Sequence, residues 1–117
     1  MRANTISIEQ QLVNKINAKI DFTYPLLTER YIVGMHERYK GTNPSLEYTN
    51  VYKDVYDAVK STDRQETFGG WLDTETNEYC VDAGLSFYSL DIALDFAKSY
   101  SQKAIYDTVE DKVIFVE

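Results

Sequence analysis

The chain of 117 residues has one cysteine, one histidine, two prolines and five glycines. A single Cys80 excludes a disulfide framework and any cysteine-rich zinc site. A single His36 excludes a multi-histidine metal site. So few Pro and Gly exclude collagen-like or linker character. No stretch approaches the roughly 18–20 apolar residues of a membrane span. The opening MRANTISIEQQ lacks the apolar core of a signal peptide. An unpaired thiol fits a reducing compartment, so the cytoplasm is the expected location. Positive charge is also scarce, with 12 Lys and Arg against 19 Asp and Glu and a formal net charge of −7. That balance argues against nucleic acid as a direct ligand.

What is present is apolar and aromatic. Hydrophobic residues make up 44% of the chain and aromatic ones 14%, with ten tyrosines among them. Such a composition buries a core and does not stay disordered. At this length one domain is expected, residues 1–117. Charge divides it unevenly. Residues 1–66 balance nine basic against nine acidic side chains, whereas residues 67–117 hold three lysines against ten acids. The acidic half reads either as a solvated face that aids solubility or as a surface complementary to a basic partner.

The expected fold class is α+β, a helical part (1–66) followed by an acidic, sheet-containing β-β-α-β-β part (67–117). Ser7-Ile8-Glu9-Gln10 has the form of a capping box, and Leu12, Val13, Ile16 and Ile20 follow at helical spacing. That predicts a helix over 7–20. Leu27, Tyr31, Met35 and Tyr39 recur every four residues up to Gly41, which predicts a second helix from Pro25 or Thr28 to 41. A third is predicted over 46–61, where Val51, Val55 and Val59 form one row and Tyr48, Tyr52 and Tyr56 the adjacent row. Residues 67–72 and 79–82 read as strands of a hairpin around Asp73–Glu78. Ser89 caps a helix over 89–101. Residues 103–107 and 112–116 read as strands, the last apolar enough to be buried on both faces. Strand order is not legible, and the sheet is expected to be antiparallel or mixed.

Motifs that would carry chemistry are absent or incomplete. His36 has no orienting partner by spacing and reads as a half-exposed helix histidine. Cys80 has Glu78 and Asp82 on its own strand face, which would raise a thiol pKa, so it reads as a small packing residue. Asp73-Thr74-Glu75-Thr76-Asn77 starts like a calcium loop, but Glu78 stands at the glycine position and Gly84 at the bidentate glutamate. No metal and no cofactor are therefore expected. Gly69-Gly70 lacks a phosphate-loop pattern and reads as a bulge or a close backbone approach. Trp71 reads as an interface anchor or a core residue. The Tyr48/Tyr52/Tyr56 row reads as rim packing or as a recognition face, and both stay open.

The segment GGWLDTETNEYCVD, from Gly69 to Asp82, with Ala93, Leu94 and Ala97, then Gln102–Asp107 and a closing apolar strand, carries a resemblance. Residues 68–116 resemble a module of small uncharacterised bacteriophage-encoded accessory proteins. The resemblance rests on turn glycines, a tryptophan and a hairpin, and brings no catalytic residue with it. It implies a phage-type protein of the host cytoplasm that binds and inhibits or modulates a host protein, such as a defence or nucleic-acid-processing complex.

The function expected is accordingly non-enzymatic protein binding, partly through an acidic surface. The partner-binding residues expected are Asp73, Glu75, Glu78, Asp82, Trp71, Tyr48, Tyr52 and Tyr56. The partner is expected to be a host protein, without direct nucleic acid or membrane contact, and self-association is open. The alternative is a nucleotide-binding or sequestering protein with a pocket of aromatics and Arg30, Arg38 or Arg64. An enzyme centred on Cys80 or His36 and a virion component are further readings.

Overall fold

A computed structural model describes residues 6–116. Helix α1 (Ile8–Asn17) begins where the Ser7 hydroxyl accepts the Gln10 amide, as the capping box predicts. It buries Leu12, Val13 and Ile16. It is shorter than expected, because Lys19 takes a positive φ of 58° and turns the chain into the short strand β1 (Phe22–Tyr24).

The next element corrects the sequence reading. Residues Tyr31–Gly41 form an eleven-residue strand, β2, where a helix was expected. A spacing of four is a multiple of two, so residues four apart share a face in a strand as well as in a helix. Val33 breaks the tie. It is fully buried beside Tyr31, and a helix would place these two on opposite sides. Residues 1–66 are therefore not purely helical, and His36 lies on a strand.

The third expected helix divides into α2 (Pro44–Glu47) and α3 (Val51–Lys60). The hairpin forms where read, from β3 (Glu66–Asp73) and β4 (Glu78–Phe87), but β4 runs well past the expected end at Asp82. Helix α4 (Leu90–Ser99) starts at Ser89, whose hydroxyl accepts the Ile92 amide. Strands β5 (Ala104–Asp107) and β6 (Lys112–Phe115) close the chain. No helix among the described residues is long and apolar enough to cross a membrane.

The six strands form one antiparallel sheet in the order β1-β3-β4-β2-β5-β6. Strand β6 is thus an edge. Val113 and Phe115 are exposed, which corrects the expectation of a strand buried on both faces. A run of apolar residues cannot report that its strand lies last in a sheet.

Alternation along the strands shows which face is covered. Phe68, Tyr79 and Val81 join Leu12, Val13, Ile16, Tyr48, Val51 and Val55 in one core under α1, α2 and α3. Tyr31, Val33 and Ile105 join Ala93 and Ala97 in a second core under α4. Cross-strand partners share a face, and the register places both cores on the same one. All four helices therefore lie on one side of the sheet, over different parts of it, with a cleft between α3 and α4. Of the valine row, Val51 and Val55 are core and Val59 packs at its margin.

Gly84 is required where β4 meets β2, because a Cβ there would run into the Val33 carbonyl oxygen, a backbone atom that cannot swing aside. Gly70 lets the Tyr79 hydroxyl and the Phe22 ring close over β3, whereas the backbone approach expected of Gly69-Gly70 falls at Gly69, where a Cβ would lie 3.3 Å from the Phe22 carbonyl oxygen.

The end of β5 is tied by charge. Asp107, buried, accepts both Arg30 Nε and Nη2 at 2.9 Å and the amides of Val109 and Glu110. The Arg30 guanidinium, then those amides, hold its carboxyl down to about 2. A carboxyl lowered on folding stabilises above its unfolded pKa of about 3.9, and that stability fades as pH falls towards 2. Asp107→Asn is expected to melt below the wild type at pH 7, with the gap narrowing between pH 4 and 2. Melting curves across that range check it.

Candidate functional site

No helix covers the opposite sheet face, although Thr67, Cys80 and Ser86 on it are buried, and the strand register assembles a charged patch there. Asp73 pairs across the hairpin with Glu78, Trp71 with Cys80 and Gly69 with Asp82. On the other flank of β4, Lys40 lies opposite Cys80 and Glu37 opposite Asp82. The uncovered face therefore carries a row Lys40–Cys80–Trp71, with Glu37–Asp82 on one side of it and Asp73–Glu78 on the other. Four carboxylates surround one ammonium.

Two of these pairs are like charges directly across a ladder. Such neighbours lie about 5 Å apart and destabilise a sheet. Asp82 shows the effect: partial burial, and then the Glu37 carboxylate, raise its pKa, with Lys40 opposing. Trp71 stands at the β3 end of that row with 54% of its surface exposed. An exposed tryptophan with carboxylates on one flank of it contributes little to folding. It offers a large apolar contact and a field that attracts cations.

Other parts of the patch have structural work. The Asp73 carboxylate accepts the Glu75 amide at 2.9 Å, and the Asp73 carbonyl accepts the Asn77 amide at 2.7 Å. Asn77 turns the hairpin with a φ of 61°. Lys19 bridges from the α1 end to the Asn77 side chain and carbonyl and to the Thr42 carbonyl. The stretch that starts like a calcium loop is this tight hairpin tip. Among the described residues there is no cluster of three or more His, Cys, Asp or Glu able to hold a metal ion. The Cys80 thiol is buried and its pKa raised, first by burial and then by Asp82.

Of the residues expected to bind a partner, Trp71, Asp73, Glu78 and Asp82 therefore share the uncovered face. Glu75 is exposed at the hairpin tip beside them. The tyrosines do not join them. Tyr48 is not on α3 at all but caps α2. It is buried, stacks on Tyr39 at 5.0 Å between ring centroids, and donates to Asp54 at 2.6 Å. Tyr52 and Tyr56 are exposed on α3, on the helix side of the sheet. The three arginines of a possible nucleotide pocket also separate. Arg30 holds Asp107, Arg38 lines the cleft beside α3, and Arg64 is exposed in the α3–β3 loop.

Sequence reasoning missed Glu37 and Lys40, because both were placed on a helix. The signal was the β-branched pair Ile32-Val33, which favours a strand. The acidity of residues 67–117 is also less concentrated than their net charge suggests. Asp107 is neutralised by Arg30, while Asp91 and Asp95 lie on α4. No family model, curated protein or solved structure matches the chain.

Proposed function

We propose that this chain is a non-enzymatic binding protein whose uncovered sheet face docks a basic surface of a partner protein. One observation carries the reading: two like-charge cross-strand pairs flank an exposed tryptophan on a face that no helix covers. The fold is weakened by those pairs, whereas a cationic partner would relieve them. Together with the resemblance of residues 68–116 to phage accessory modules, this favours a host protein as partner, inhibited or modulated by occlusion of its basic surface.

Capture from bacterial lysate by the tagged chain, washed at rising salt, tests it. Glu37→Lys and Glu78→Lys are the informative variants, since Asp73 also holds the hairpin turn. The pair is expected to weaken binding of the captured protein by about tenfold, or 1.4 kcal/mol, and to flatten its salt dependence. Equal capture by wild type and variant at every salt concentration would remove the docking face.

A further inference from the structure

On the opposite, helix-bearing side, the space between α3 and α4 is a cleft of about 580 Å³. That volume lies within the range of small-molecule sites. Its floor is the strip of sheet left between the two cores, with Phe68 and Ala83 as cross-strand partners and Leu85 beside them. Ala83 is the small residue that keeps the floor deep. Phe96 and Tyr100 of α4 form an aromatic wall, their ring centroids 4.6 Å apart.

The polar groups reach the cleft through two irregularities in β2. Register shifts occur between Gly34 and His36 and between Glu37 and Tyr39. Strict alternation from Tyr31 and Val33 would send His36 and Arg38 to the uncovered face. The first shift brings His36 opposite Ala83, on the cleft side, and the second lets Arg38 reach Asp54 of α3 at 2.7 Å. Bulges that re-aim side chains in this way concentrate beside binding sites.

Three carboxylates and two cations line the cleft, so spare hydrogen-bonding capacity rather than net charge points to the ligand. The acceptors in the cleft are engaged: Asp54 by Arg38 and Tyr48, Asp57 by Lys53, and Glu66 by Ser61. The donors are not. Arg38 uses only Nη2, and the His36 ring has no hydrogen-bond partner among the described residues. An arginine has five N–H donors in a planar fork suited to carboxylate, phosphate or sulfonate.

We propose that this cleft binds a small organic anion with an aromatic body, the anionic group on Arg38 and His36 and the ring between Phe68 and the Phe96–Tyr100 wall. The site is independent of the docking face, from which the sheet separates it.

The test uses two fluorescent probes, 8-anilinonaphthalene-1-sulfonate and its uncharged analogue N-phenyl-1-naphthylamine, titrated into the full chain. The sulfonate probe is expected to bind at one saturable site. Ala83→Phe, which fills the floor, is expected to abolish binding of both probes. Arg38→Gln is expected to weaken the sulfonate about tenfold and leave the neutral probe unchanged. His36→Gln, at an exposed position, is expected to weaken the sulfonate about threefold. Because Arg38 also supports Asp54, melting curves accompany each variant, and His36→Gln with Ala83→Phe decides the matter if Arg38→Gln does not fold. The proposal is overturned if no saturable binding occurs, if Ala83→Phe leaves it intact, if Arg38→Gln and His36→Gln make no difference, or if Phe115→Ser removes the signal instead.

Discussion

Tyr79→Ala should cost about 4 kcal/mol, the largest loss expected of a single core substitution in this chain. Tyr79 is fully buried, on the face of β4 that carries α1, α2 and α3. Its hydroxyl donates to the Ile20 carbonyl at 2.7 Å, which anchors the turn after α1 to the sheet. Truncation removes a large ring from the centre of the first core and frees that carbonyl. Tyr79→Phe separates the two contributions and should cost about 1 kcal/mol, the worth of an ordinary hydrogen bond. Burial raises the tyrosine pKa far above its usual value, so alkali should not ionise it in the folded protein. Urea denaturation of the two variants checks the split. Equal costs would mean that the bond to Ile20, rather than the ring, holds this end of the molecule.

Asp54→Ala is expected to be the second largest effect, about 2.5 kcal/mol. Asp54 is a buried carboxylate on α3 that accepts from Arg38 at 2.7 Å and from the Tyr48 hydroxyl at 2.6 Å. Removing it leaves the Tyr48 hydroxyl buried without a partner, which is the larger part of the cost. The Arg38 side chain is 41% exposed, so water takes over much of its solvation, and the full penalty of a broken buried pair does not apply. Tyr48→Phe alone should cost about 1 kcal/mol, and the double variant should cost less than the two single changes together. A cycle of denaturation measurements would show that coupling, and strict additivity would contradict the shared network.

Local signals were legible where one residue does one local job. Ser7 and Ser89 cap the helices expected of them, and Asp73–Glu78 turns the hairpin expected of it. Period-two spacing within that hairpin was enough to bring Trp71, Asp73, Glu78 and Asp82 to one face. What failed was non-local. The four-residue recurrence in β2 fits a helix and a strand alike, and two register shifts inside it depend on pairing with β4. Hence Glu37, which completes the acidic patch, was out of reach, and His36 and Arg38, already candidates, were read on a helix instead of on the cleft side of a strand. The strand order places β2 between β4 and β5, far from its chain neighbours β1 and β3, and no local pattern encodes that. The tyrosine row failed for a related reason. Thr49 and Asn50 interrupt the helix after Tyr48, so Tyr48 falls to the core while Tyr52 and Tyr56 face solvent.

The account turns on the uncovered sheet face, and Trp71, the one tryptophan of the chain, is exposed on it beside the acidic pairs. The most direct measurement is a fluorine NMR titration of the protein labelled with 5-fluorotryptophan against the protein captured from lysate. A docking face there predicts one resonance that shifts or broadens as the partner is added. The change should be lost in the Glu37→Lys/Glu78→Lys protein and kept in a Tyr52→Ala/Tyr56→Ala protein. Binding that leaves the Trp71 resonance where it is would contradict the account and move the interface to the helix side.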